Sequence, residues 1–124
     1  MDTKKGTPEG FHTVTASLAV KNCDAAIDYY KKAFGAVELY RLAMPDGKVG
    51  HCELRIGDSI IFLADECEQG FAKSPESLGG TTAGICLYVD DCDQAYQQAV
   101  KAEEQNAARY FAQASRGGAD AKAA

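Results

Sequence analysis

From residue 12 to residue 20 the chain runs HTVTASLAV, and its apolar positions alternate. Val14, Ala16, Leu18 and Val20 fall on one face, with Thr13, Thr15 and Ser17 on the other. A period of two predicts a strand with one face on a core. NCDAAIDYYKKAFG changes the period: Ala26, Ile27, Tyr30, Ala33 and Phe34 fall on one helical stripe, with Asp24 as the expected N-cap and Gly35 as the stop. AVELYRLAM predicts a second strand, PDG at 45–47 a turn, and KVGHCELRI and SIIFLAD a tight hairpin joined at Gly57 and Asp58.

Residues 67–82 are a polar connection carrying Gly and Pro. AGICLYV at 83–89 then predicts a fifth strand, with Ile85, Leu87 and Val89 on its apolar side. DDCDQAYQQAV opens a second helix capped by Asp90 or Asp91. Its stripe of Ala95, Tyr96, Ala99, Val100, Ala107, Tyr110, Phe111 and Ala114 is interrupted by Glu103. One helix over about 91–115 would be about 36 Å long. The order is βαβββ followed by βα, an α+β chain whose topology begins to repeat and has no strand pattern after residue 89. The expected layout is a flexible N-terminus over 1–10, a first module over 11–66, a connecting loop over 67–82, a partial second module over 83–115 and a disordered tail over 116–124.

Composition narrows the function classes. At 124 residues the chain suits a single domain. Its net charge of −5 argues against a nucleic-acid partner. No apolar run approaches the roughly 18 residues that span a bilayer, and the charged start MDTKKGTPEG lacks the apolar segment of a signal peptide. A cytoplasmic location is the expectation, with no membrane partner. The five cysteines form no CxxC pair and are expected as free thiols.

The words TVTASLAV, AAIDYYKKAFGAVELYR, MPDGKVGHCELRIGDSIIFLADE and LGGTTAGICLYVDDCDQAY, in this order over about residues 11–100, resemble the vicinal oxygen chelate superfamily, the glyoxalase/bleomycin-resistance/dioxygenase fold, and within it the PhnB-like branch. The resemblance implies paired βαβββ modules whose curved sheets enclose a cleft, often in a homodimer, here with the second module incomplete and a long C-terminal helix. It departs after about residue 101, where relatives continue with three strands, a GDR turn and a DPFGHxW segment. Metal-dependent relatives draw ligands from their first, fourth, fifth and eighth strands. Here Thr15, Phe62 and Gly84 stand at the first three positions, and the eighth strand has no counterpart. None of these side chains replaces imidazole or carboxylate. The expectation is no cofactor, with a divalent metal kept only as an alternative.

His51 and Glu53 sit two apart on a predicted strand and therefore share a face. Alternation puts Thr13, Thr15, Ser17, His51, Glu53, Arg55, Ile60, Phe62, Cys86 and Tyr88 on the face opposite the helices, a mixture of rings, hydroxyls and charges suited to an amphipathic small molecule. The same alternation would also arise on a sheet that merely faces water. His51 and Glu53 are the candidate catalytic pair, since an imidazole beside a carboxylate is a candidate acid or base. A surface ion pair of Glu53 with Arg55 is the structural competitor. Thr13, Thr15, Ser17, His51, Glu53, Phe62, Cys86 and Tyr88 are the candidate ligand-binding set.

Two readings of different class follow. One is a binding module holding a small amphipathic organic molecule without altering it, the acidic chain suiting a cationic one. The other is an enzyme of lyase or dioxygenase type, using His51 with a relocated metal or as a general base. A fragment without intact function is a third. The unpaired sheet edges point to a homodimer, with Tyr110 and Phe111 packing across the partner.

Overall fold

The structure is a computed structural model that describes residues 6–70 and 72–117, with side chains of its last helix described as far as residue 105. Its elements are β1 (Ser17–Val20), α1 (Cys23–Phe34), β2 (Val37–Ala43), β3 (Val49–Ile56), β4 (Ser59–Asp65), α2 (Pro75–Leu78) and α3 (Cys92–Gly117). The four strands form one sheet in the order β1-β4-β3-β2. β1 runs parallel to β4, while the β2–β3 and β3–β4 pairs are antiparallel. This is the mixed α+β architecture of a single βαβββ module, with α3 laid along α1.

Helix α1 forms where the apolar stripe predicts it, but its start differs by two residues. Asn22, in the left-handed region at φ 54, accepts from the Ala25 amide and is the N-cap. Asp24 lies inside the first turn, and its carboxylate meets Arg41 of β2 at 2.6 Å. The helix ends at Gly35, φ 67, where the amides of Gly35 and Ala36 return to the carbonyls of Lys31 and Tyr30. A residue without Cβ meets that left-handed stop at least cost. Cys23 and Ile27 of α1 pack with Ala36 and with Val49, Cys52, Leu54, Ile61 and Leu63 of the sheet. Along β4, and along β3 from Cys52 onward, every second side chain thus enters the core, while Val49 joins it across the register shift between Leu42 and Ala43.

One carboxylate ties these parts together. Asp65, the last residue of β4, accepts the Cys23 amide at the start of α1 through Oδ1 (2.9 Å) and the Val49 amide at the start of β3 through Oδ2 (2.8 Å). Its backbone lies opposite Val20, the last residue of β1. Four elements therefore meet at one residue, three of them at its side chain, and the carboxylate sits at a helix N-terminus whose dipole favours it.

Several expectations are corrected. The first strand is expected over 12–20, yet the ladder to β4 begins only at Ser17, opposite Phe62. Val14 precedes that ladder and is 83% exposed, so it does not belong to the core. Residues 83–89 form no ladder among the described residues, and the second module is represented by its helix alone. Alternation gives a segment the capacity to be a strand, but only a neighbour with free amides and carbonyls makes it one. The connection 67–82 holds α2, capped by the buried Ser74, whose amide donates to Glu66 Oε1 at 2.7 Å.

Helix α3 has Asp91 as its cap, accepting from the Gln94 amide at 3.0 Å. Ala95, Ala99 and Val100 are half-buried and Ala102 is buried, whereas Tyr96 turns to solvent. Residues 1–5 and 118–124 of the expected flexible ends, and the side chains of Tyr110 and Phe111, lie outside the described residues.

Replacing Asp65 by alanine strands two backbone donors and is expected to cost about 2–4 kcal/mol, read by urea denaturation. Glu38 of β2 is held at about 2 by its hydrogen bonds to Arg41 and then Lys31. Its folded value lies below the ordinary 4.5, so the stability it contributes is complete above that value and is lost as pH falls toward about 2. Glu38→Gln is expected to lower stability by about 1 kcal/mol at neutral pH, because the group is partly exposed. The difference from the parent protein should close across that acid window; a gap independent of pH would refute the assignment.

Candidate functional site

With α1 covering one face of the sheet, the pleat presents the alternate side chains to the other. One register row crosses all four strands: Ser17 of β1 opposite Phe62 of β4, Phe62 opposite Glu53 of β3, and Glu53 opposite Tyr40 of β2. The neighbouring row pairs His51 with Leu42. Paired residues share a face, so these side chains project together.

Within this group His51 Nε2 lies 3.0 Å from Glu53 Oε2, both side chains being partly buried. An ionised carboxylate only accepts, so Nε2 carries the hydrogen, and Nδ1 is the nitrogen left to meet a ligand. The Phe62 and His51 ring centroids lie 4.7 Å apart at 66°, Tyr40 lies 6.2 Å from the same imidazole, and Phe11 closes on Phe62 at 6.1 Å. The imidazole that meets Glu53 is thus flanked by Phe62 and Tyr40, with Phe11 behind Phe62. Arg55 shares the face but makes no ion pair with Glu53 among the described residues.

Tyr40, Leu42 and Phe11 are absent from the sequence-derived set. β2 hides its faces behind a bulge: Glu38 pairs with Leu54 and Tyr40 with Glu53, which leaves Leu39 as the extra residue. Simple alternation would put residues 38, 40 and 42 on one side. The bulge instead sends Glu38 and Arg41 toward α1, where they bond each other, Lys31 and Asp24, and sends Tyr40 and Leu42 to the open face. Two opposite charges three apart within a strand, with partners on the preceding helix, are the sequence signal that could have revealed it.

The other expected residues are not all gathered here. Ser17, His51, Glu53 and Phe62 come together. Thr15 is half-buried and Thr13 exposed, both ahead of the β1 ladder. Cys86 is exposed and Tyr88 is 98% exposed, on the unpaired segment 83–89, and no hydrogen bond or ring contact links either to the His51 group.

Thr15, Phe62 and Gly84, the residues that the resemblance sets at metal positions, supply neither imidazole nor carboxylate. Among the described residues no three His, Cys, Asp or Glu side chains converge.

A cavity of about 390 Å³ lies elsewhere, between the free edge of β1, Tyr30 and Phe34 of α1, and the chain from Ala72 to Ile85. Of the row described above it shares only Ser17. No helix among the described residues is long and apolar enough to cross a membrane.

The cysteines divide by burial. Desolvation, and then the charge of Asp65, push the Cys23 thiol up to about 12, and burial raises Cys52 as well. Cys67, Cys86 and Cys92 are exposed. A thiol reagent at neutral pH is expected to label these three in the folded protein and Cys23 and Cys52 only after denaturation, as mass mapping would show.

The model of the Glyoxalase/Bleomycin resistance protein/Dioxygenase superfamily matches residues 10–108. The uncharacterized protein Mb0911c of Mycobacterium bovis is 46% identical over 88 residues, covering 68% of this chain and 58% of that protein. The uncharacterized protein Rv0887c of Mycobacterium tuberculosis shows the same identity over the same length, with 52% of it covered. The chain thus spans about half the length of the curated relatives it matches. The X-ray structure of the Arabidopsis thaliana gene product At5g48480 superposes with a TM-score of 0.62 at 26% identity, over 74% of this chain and 73% of that one.

Proposed function

The chain belongs to the glyoxalase/bleomycin resistance protein/dioxygenase superfamily, and from that premise we propose that it is a small-molecule-binding protein of the PhnB-like kind. Its ligand is amphipathic and cationic, held without a metal on the open face of the sheet. The protein acts as a homodimer, which encloses that face, and works in the cytoplasm, where its five free thiols suit a reducing compartment.

The observation that carries this reading is the row Ser17–Phe62–Glu53–Tyr40 with His51 beside it. Phe62 and Tyr40 offer ring faces and edges to an apolar body and to a positive charge. Glu53 gives one oxygen to His51 and keeps the other for a donor on the ligand. Ser17 adds a hydroxyl at the end of the row. A protein of net charge −5 also draws cations toward such a face. These features orient and hold a molecule; none of them requires a bond to be made or broken.

Calorimetric titration with bleomycin and with phenyltrimethylammonium, a minimal aromatic cation, tests the reading. Binding is expected for at least one of the two, weakened about tenfold or more by Glu53→Gln and by Phe62→Ala, a loss of about 1.4 kcal/mol or more each. An absence of binding for both, or binding that ignores both substitutions, would refute it.

A further inference from the structure

Residues 83–89 (AGICLYV) alternate as a strand does, yet no ladder holds them. Among the described residues no hydrogen bond engages residues 84–89. Local side-chain bonds flank it: Thr81 Oγ1 donates to the Ala83 carbonyl at 2.9 Å, and the Asp91 cap starts α3. Its backbone groups from 84 to 89 are thus without partners among the described residues, and Ile85 is 44% and Val89 48% exposed, with Leu87 half-buried between them.

We propose that this segment is an unpaired strand that joins antiparallel to the same residues of a second copy of the chain, with Cys86 on the two-fold axis. The proposal rests on the homodimer of the reading above and specifies its contact.

Self-complementarity carries the argument. A two-fold pair centred on Cys86 sets Ile85 opposite Leu87 of the other copy, Ala83 opposite Val89, and Gly84 opposite Tyr88. The first two pairs make one continuous apolar face, and the third lays a ring over a glycine, a pairing that compensates the missing side chain. An isologous contact requires this kind of match, because each residue meets its partner twice. The charges agree as well. From Gly79 to Val89 the chain carries no charged residue, and the arrangement sets Asp90 and Asp91 opposite Thr82 and Thr81 rather than opposite each other. Two molecules of net charge −5 therefore meet through an uncharged stretch.

The other edges are less available. β2 carries a bulge at Leu39 and is followed two residues after its end by Pro45, both features that discourage edge pairing. The free edge of β1 faces the cavity that the chain from Ala72 to Ile85 already lines.

The 124-residue chain, kept reduced at micromolar concentration, is expected to run as a dimer in light scattering. Mild oxidation with copper phenanthroline should give a covalent dimer that survives in Cys67→Ser and Cys92→Ser and vanishes in Cys86→Ser, because opposed residues of an antiparallel pair lie within disulfide reach. Cys86→Lys, an exposed change that should leave the circular dichroism spectrum intact, is expected to weaken association about tenfold or more by opposing two ammonium groups. A reduced monomer would overturn both the dimer and the strand pairing. A dimer that cross-links without Cys86 and ignores the lysine would overturn the strand pairing alone. Ligand binding on the His51 face is read separately, so its failure is distinguishable from either.

Discussion

The fold turns on the two hydrogen bonds of Asp65. A helix and a strand that begin far apart in sequence need a common anchor before the core between them can close, and this carboxylate takes the first amide of each. Both amides would otherwise lack a partner, the one at the open end of α1 and the other at the entry to β3. By occupying both, Asp65 fixes the end of α1 over β3 and β4, and Ile27 then packs among Leu54 and Leu63. The next residue extends the same logic: Glu66, held at about 2 by the Ser74 amide and then the Ser77 hydroxyl, anchors the turn of α2.

Covering one face of the sheet defines the other. Once α1 occupies the side that carries Cys52, Leu54, Ile61 and Leu63, the period of two leaves His51, Glu53 and Phe62 together on the opposite side. The bulge in β2 decides what joins them. It spends one extra residue so that Glu38 and Arg41 reach the charges of α1 while Tyr40 and Leu42 reach His51 and Glu53. The ion network on one face and the aromatic rim on the other are two consequences of one local irregularity. They cannot be altered independently.

Helix α3 adds a different constraint. It packs on α1, not on strands of its own: Ala102 is buried and Gln98 donates to the Lys32 carbonyl at the end of α1. The segment leading into α3 is consequently carried out beside the sheet and left without a ladder. Superfamily membership and the likeness to the Arabidopsis protein describe the same module.

Periodicity alone determined the α+β class, α1 with its glycine stop, the β3–β4 hairpin, the start of α3, and the pairing of His51 with Glu53 on a common face. Each is legible because it follows from neighbours within a few residues, through helical or strand spacing and the special conformations of Gly35 and Gly57. Tertiary structure decided the rest. Asn22 caps α1, and Asp24 instead meets Arg41, a partner on another element. Val14 is exposed and Tyr88 lies off the site because the ladders stop short of them. Tyr40 enters the site because a bulge turns it there, and Phe11 because it packs on Phe62 from ahead of the β1 ladder. A side chain's face can be read from its own strand, but whether that strand finds a neighbour depends on amides and carbonyls distant in sequence, and those are placed only when the chain folds.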